Sequence, residues 1–172
     1  MAYRFSPCRN ERQLEEYALY MLDHRFELHP AFAADRFIHF IDEQFRHGES
    51  VLVRTSAGAT VGALGFVYGT PENRFEDKHT VRIEMVYIEP TYRGTRLFAY
   101  GLLWLADYLA RHAPRTECVQ FYCESDPARK GRLFRKIADL VVTEPTKFDL
   151  EDQFATTIER LRQAAAPRKE RR

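Results

Sequence analysis

Arg82-Ile83-Glu84-Met85-Val86-Tyr87-Ile88-Glu89-Pro90-Thr91-Tyr92-Arg93-Gly94 is the stretch on which the fold turns. Its first half is rich in β-branched and aromatic residues and predicts a strand over Thr80–Ile88, ended by Glu89-Pro90. A glycine follows the Pro-containing turn, and a helix should begin just beyond it. That helix is expected over Leu97–His112, with Leu97, Gly101, Leu105, Tyr108 and Leu109 facing inward. A helix N-terminus leaves several backbone N–H groups unpaired and carries partial positive charge, which suits a phosphate or pyrophosphate. Arg93 beside the turn would add a charged donor. Many α/β domains carry the same junction for packing alone.

Working outward, Tyr3–Ser6 reads as a short first strand. Asn10, with Gln13 three residues later, reads as a helix cap before Leu14, Tyr17, Ala18, Met21 and Leu22 at helical spacing. His29-Pro30 breaks that helix, and a second follows with Phe37, Ile38, Ile41 and Phe45 on one side and Gly48 as its stop. Val51–Thr55 and Thr60–Tyr68 are β-rich runs joined by Ser56-Ala57-Gly58-Ala59, a hairpin signal. Beyond the central helix come a strand over Val119–Cys123, a helix over Pro127–Ile137, short strands at Leu140–Thr143 and Lys147–Leu150, and a last helix over Glu151–Ala165. Consecutive strands followed by strand–helix–strand units imply an α/β fold: a mixed central sheet of six to seven strands with helices on both faces. The expected division is a domain over 1–150, a C-terminal helix over 151–166 and a basic tail over 167–172.

The 172 residues fit one domain with a core large enough to need no staples. Lys plus Arg number 26 and Asp plus Glu 25, a net charge of +1, which argues against a broad polyanion clamp. Cys8, Cys118 and Cys123 form no CxxC pair and read as reduced cytosolic thiols. The six histidines show no ligand-like spacing, so a metal site is not supported. No apolar run approaches a membrane span, and the expected setting is cytoplasmic. The tail from Pro167 to Arg172 reads as a solvated end in preference to a nucleic-acid arm.

Ile88-Glu89-Pro90-Thr91-Tyr92-Arg93-Gly94 resembles the strand end and start of the pyrophosphate loop in the GNAT superfamily of acyl-CoA N-acyltransferases. Gly131-Arg132-Leu133-Phe134-Arg135-Lys136-Ile137 is similar to the family's Ala-x-x-Leu-Tyr-x-Lys segment, and the element order follows the family from Tyr3 to about Leu150. The loop's two small residues are replaced by Arg96 and Phe98, a frequent asparagine by Ala128, and a proton-donating tyrosine by Phe134.

The resemblance implies acyl-CoA, with acetyl-CoA the expected donor, and an amine acceptor that is a small molecule or a protein. Glu84 would be the base that takes the ammonium proton; its other reading is a strand glutamate paired with a neighbour such as Arg82. The backbone of Val86, Tyr87 and Ile88 would bind the pantetheine arm and polarise the thioester carbonyl, while Arg93, Gly94, Thr95, Arg96 and Phe98 would surround the pyrophosphate. Tyr122 and Cys123 stand as candidates for the missing acid, since both can donate a proton to sulfur. Phe26, His29, Phe32 and Phe37 would border the acceptor pocket; aromatic residues in such places are more often core. No metal is implied, and a homodimer stays open. The alternative from another class is a GNAT-fold binding module without turnover, which the substitutions at Arg96, Phe98 and Phe134 favour.

Overall fold

The computed structural model describes residues 2–28, 33–125, 130–146 and 150–166. Its contacts divide the chain into two compact units, Met1–Arg93 and Gly94–Arg172.

The first unit holds β1 (Tyr3–Pro7), α1 (Glu11–Asp23), α2 (Arg25–Leu28), α3 (Ala34–His47), β2 (Gly48–Thr55), β3 (Thr60–Tyr68) and β4 (Thr80–Ile88). Its strands pair antiparallel in the order β1-β2-β3-β4. α1 begins where the sequence places its cap: Asn10 Oδ1 accepts from the Gln13 amide at 3.0 Å. Gln13 reaches back in return, its Oε1 accepting from the Arg9 amide at 2.7 Å. Leu52, Ala63 and Tyr87 stand side by side across β2, β3 and β4, and alternation brings Met85 to the same face as Tyr87. Tyr17 and Met21 of α1 and Phe37 and Ile41 of α3 share one core cluster with these four strand residues.

Two details depart from the sequence pattern. β2 starts at Gly48 instead of Val51, because a Cβ at position 48 would lie 1.8 Å from the Phe66 carbonyl oxygen and only glycine lets β2 approach β3 so closely. The buried stripe of α3 runs through Phe37, Ile41 and Gln44, whereas Ile38 is exposed.

The second unit holds α4 (Leu97–His112), β5 (Cys118–Glu124), α5 (Lys130–Phe134), β6 (Asp139–Pro145), β7 (Leu150–Thr156) and α6 (Ile158–Ala165). β7 pairs antiparallel with both β5 and β6. Residues 151–156, expected as the start of the last helix, are therefore a strand. Asp152, Phe154 and Thr156 are buried on one face of it, and Phe154 stacks on Phe121 with ring centroids 5.2 Å apart. The helix is confined to α6, which begins after Thr157, whose hydroxyl accepts from the Arg160 amide. α6 is tied to α4 by Arg162, which donates to Asp107 Oδ1 from Nε at 3.0 Å and Nη2 at 2.9 Å. On α4 the buried face is Leu97, Leu102, Leu105, Ala106, Tyr108 and Leu109; Gly101 lies beside it, partly covered. Ala128, the first residues of the expected helix at 127–137, most of the expected 147–150 strand and the basic tail lie outside the described residues.

Candidate functional site

β4 is not a regular strand. Gly65 of β3 faces Met85 while the next residue, Phe66, faces Ile83, so Glu84 is the extra residue of a β-bulge. Gly65 is needed opposite it: a Cβ there would lie 1.8 Å from Gln44 Oε1 and 2.5 Å from the Tyr17 hydroxyl. Those two groups form a buried chain in which Tyr17 donates to Gln44 Oε1 at 3.2 Å and Gln44 Nε2 donates to Ser50 Oγ at 2.6 Å. Three elements thus meet, through polar contacts, beside the irregularity that carries Glu84.

Glu84 sits in the grip of Arg82. The Arg82 Nε donates to Glu84 Oε1 at 2.6 Å, and Nη1 donates to Glu72 Oε1 and Oε2 at 2.8 and 3.0 Å. The side chains of Arg82 and Glu84 are only 8% and 12% exposed, so this is a desolvated pair and not a surface one. Burial pushes the Glu84 carboxyl above the ordinary glutamate value, and the Arg82 guanidinium offsets only part of that rise.

A second group gathers at the other end of β4, and the sequence alone did not single it out. The rings of Tyr20, His24 and Tyr87 pack together, with His24 4.6 Å from Tyr20 and 4.3 Å from Tyr87. The Tyr20 hydroxyl donates to Glu89 Oε1 at 3.1 Å, and the Tyr87 hydroxyl donates to Glu27 Oε1 at 2.9 Å. His24 Nδ1 lies 2.7 Å from the Tyr20 carbonyl oxygen, which can only accept, so this nitrogen carries its hydrogen. Nε2 lies 3.3 Å from Glu89 Oε1, an ion pair whenever the ring holds both protons. Burial, together with the neighbouring carboxylates, raises both tyrosine hydroxyls above their ordinary range. The readable signal was the spacing of Tyr20, His24 and Glu27 at i, i+4 and i+7 on one helical face.

Arg93 belongs to this group. Its Nε donates to the Ile88 carbonyl at 2.8 Å, its Nη2 donates to Glu27 Oε2 at 2.9 Å, and its guanidinium carbon lies 5.5 Å from the Tyr87 ring centroid. The arginine expected at a pyrophosphate is held against α2 and the end of β4. Val86, by contrast, is well exposed, while Tyr87 is buried. Of the aromatic residues expected around an acceptor, Phe37 is fully buried in the core. Phe26 is 55% exposed with the Arg25 guanidinium 4.0 Å above its ring. His29 and Phe32 lie outside the described residues.

In the second unit, Gly94 has φ +80°, a left-handed conformation that favours glycine. Thr95 Oγ1 accepts from the Leu97 amide at 3.2 Å, and α4 then runs for 16 residues with no acidic side chain in its first turn. Gly94, Thr95 and Arg96 are exposed and Phe98 is half-buried beside them. Tyr122 and Cys123, adjacent on β5, point to opposite faces of that strand, so one site can use only one of them. Phe134 packs edge-on against Phe121 and Phe154, at 5.1 and 5.7 Å, as part of an aromatic core. Among the described residues no three His, Cys, Asp or Glu side chains are grouped to hold a metal ion, and no helix is long and apolar enough to cross a membrane.

No family model and no curated protein matches the chain. Solved structures do. A GNAT-family acetyltransferase from Bacillus anthracis is similar at 15% identity and a TM-score of 0.61, over 92% of this chain and 96% of that one. An aminoglycoside acetyltransferase in complex with coenzyme A and kanamycin is similar at 12% identity and a TM-score of 0.66, over 96% and 100%. A ribosomal alpha-N-protein acetyltransferase in complex with coenzyme A follows at 13% identity and a TM-score of 0.63, over 93% and 98%. Identities this low speak for architecture only, and on that ground the chain has the mixed α/β fold of the GNAT acetyltransferases.

Proposed function

We propose that this chain is an acyl-CoA-dependent N-acyltransferase, with acetyl-CoA as donor, acting by direct attack of an amine in a ternary complex. The observation that carries the reading is the run from β4 into α4. A bulged strand ends in a proline turn, passes through Gly94 at positive φ, and opens a helix whose first turn is free of acidic side chains. Such a helix start favours an anion, and the turn would receive the pyrophosphate. Coenzyme A in two of the similar structures supports the choice of donor.

In this reading the amine nitrogen attacks the thioester carbonyl carbon, and the backbone N–H groups of Val86–Ile88 stabilise the developing oxyanion. Glu84 takes the proton lost by the nitrogen, directly or through water, and its raised pKa brings it nearer to that task. Collapse of the tetrahedral intermediate breaks the carbon–sulfur bond, and the departing CoA thiolate takes up a proton from Tyr122, Cys123 or solvent. The protein proposed here is cytoplasmic, with one catalytic domain. A second reading, a GNAT-fold binding protein without turnover, is favoured by the tight Arg82–Glu84 pair and by Phe134 in the aromatic core.

Incubation with acetyl-CoA and a panel of primary amines, followed by chromatography and mass spectrometry, separates the two. The first reading expects free CoA and acetylated amine to accumulate together, above the non-enzymatic rate. Binding of acetyl-CoA with no product from any amine, peptide N-termini included, selects the second.

A further inference from the structure

Arg93 is the residue whose sequence role and structural position disagree, and the disagreement has a consequence. In the run Pro90-Thr91-Tyr92-Arg93-Gly94 it adjoins the turn proposed to take the pyrophosphate. Its guanidinium, however, is engaged at two atoms: Nε with the Ile88 carbonyl and Nη2 with Glu27, 66 residues away in sequence. Glu27 is itself oriented by the Tyr87 hydroxyl, which donates to its other oxygen at 2.9 Å. The two carboxylate oxygens are thus shared between a tyrosine and an arginine, a geometry that fixes the carboxylate plane.

We propose that Glu27 is a positioning residue that sets acyl-CoA affinity by holding Arg93 as a latch, and that the pyrophosphate of acyl-CoA draws Arg93 off it. The proposal rests on the acyl-CoA reading above. Three features make the latch releasable. The Arg93 and Glu27 side chains are 50% and 43% exposed, so the ion pair is solvent-screened and weak. A diphosphate offers more negative charge and more acceptor oxygens than one carboxylate, and guanidinium matches phosphate bidentately. Gly94, at positive φ and with open space where a Cβ would project, directly follows Arg93 and places no side chain in the way of its movement.

Release has a second effect. It leaves the Glu27 carboxylate beside the Tyr87 hydroxyl without its cation, and it frees the Ile88 carbonyl at the end of β4. An acceptor arriving as an ammonium would then meet a carboxylate no longer paired with Arg93 at the edge of the Tyr20–His24–Tyr87 cluster. Acyl-CoA would therefore improve the site for a cationic acceptor, and the coupling would be reciprocal.

The apparent affinity of a ligand that needs the released state is lowered by the fraction in which the latch is closed. A double-mutant cycle read by calorimetry with CoA tests this in the full chain, with thermal melts confirming that each variant is folded. Glu27→Gln is expected to tighten CoA binding by roughly 1.5–5-fold, as an exposed pair of this strength allows. Arg93→Ala is expected to weaken it, and Glu27→Gln added to Arg93→Ala should change nothing further. Glu27→Asp, which shortens the reach but keeps the charge, should fall between wild type and Glu27→Gln.

The cycle is needed because removing any negative charge near an anion site favours anion binding. An equal tightening by Glu27→Gln in both backgrounds is that general effect and overturns the latch. So does an unchanged or weaker affinity in Glu27→Gln when Arg93→Ala still weakens binding, although the acyl-CoA reading then stands. No CoA binding by any folded variant, wild type included, overturns the acyl-CoA reading and the latch with it.

Discussion

Glu84, the base in the proposed reaction, is also a structural member of β4. Arg82 holds it through a 2.6 Å hydrogen bond, yet its pKa lies above the ordinary glutamate value because burial outweighs that guanidinium. The sign of the stability effect follows from the direction of the shift. A carboxyl whose folded pKa is raised adds its stability below the unfolded value and loses it as pH climbs through the folded one. Wild type is therefore expected to lose stability relative to Glu84→Gln as pH rises from the ordinary glutamate value towards neutrality. Urea unfolding of both proteins across that window checks it, and a difference that grows in wild type's favour with pH would mean that the Arg82 pairing dominates. The contact itself was foreseeable, since Arg82 and Glu84 stand two apart on a predicted strand. The bulge at Glu84 was not, because it is set by Gly65 and the packing of Gln44 and Tyr17 beneath it.

Elements whose pattern and punctuation agree were legible. β3, β4 and α4 fall at the residues the sequence marks, because each run of apolar residues ends at a proline or a polar loop. β7 was not legible. Glu151-Asp152-Gln153-Phe154-Ala155-Thr156 reads as the start of a helix, and its strand identity comes from pairing with β5 on one side and β6 on the other. Long-range pairing overrode local propensity there. α1 is the opposite case, an element specified by its own first turn. Asn10→Ala removes the oxygen that accepts from the Gln13 amide, and is expected to cost about 1 kcal/mol of stability. Chemical denaturation would register that as a lower midpoint with an unchanged slope. A change much smaller than this would show that tertiary packing of Tyr17 and Met21 alone holds the helix in place.

On the scale of the whole chain, fold and chemistry are separable questions. The α/β class was readable from element order, and the likeness to solved GNAT acetyltransferases covers more than nine-tenths of the chain. The candidate positions that the sequence offered are local ones, such as Glu84, Gly94 and the start of α4. The pairing of Arg93 with Glu27, and of Glu89 with Tyr20 and His24, joins positions 60 to 70 residues apart, which no spacing rule reaches. Phe37, read from sequence either as lining an acceptor pocket or as core, is fully buried in the core. The account stands or falls on whether this chain binds an acyl-CoA. Isothermal titration of the folded wild-type protein with acetyl-CoA measures that directly. Saturable binding at one site per chain is predicted, weakened by added salt because the pyrophosphate is held by charge. No heat and no thermal shift up to millimolar acetyl-CoA would contradict it.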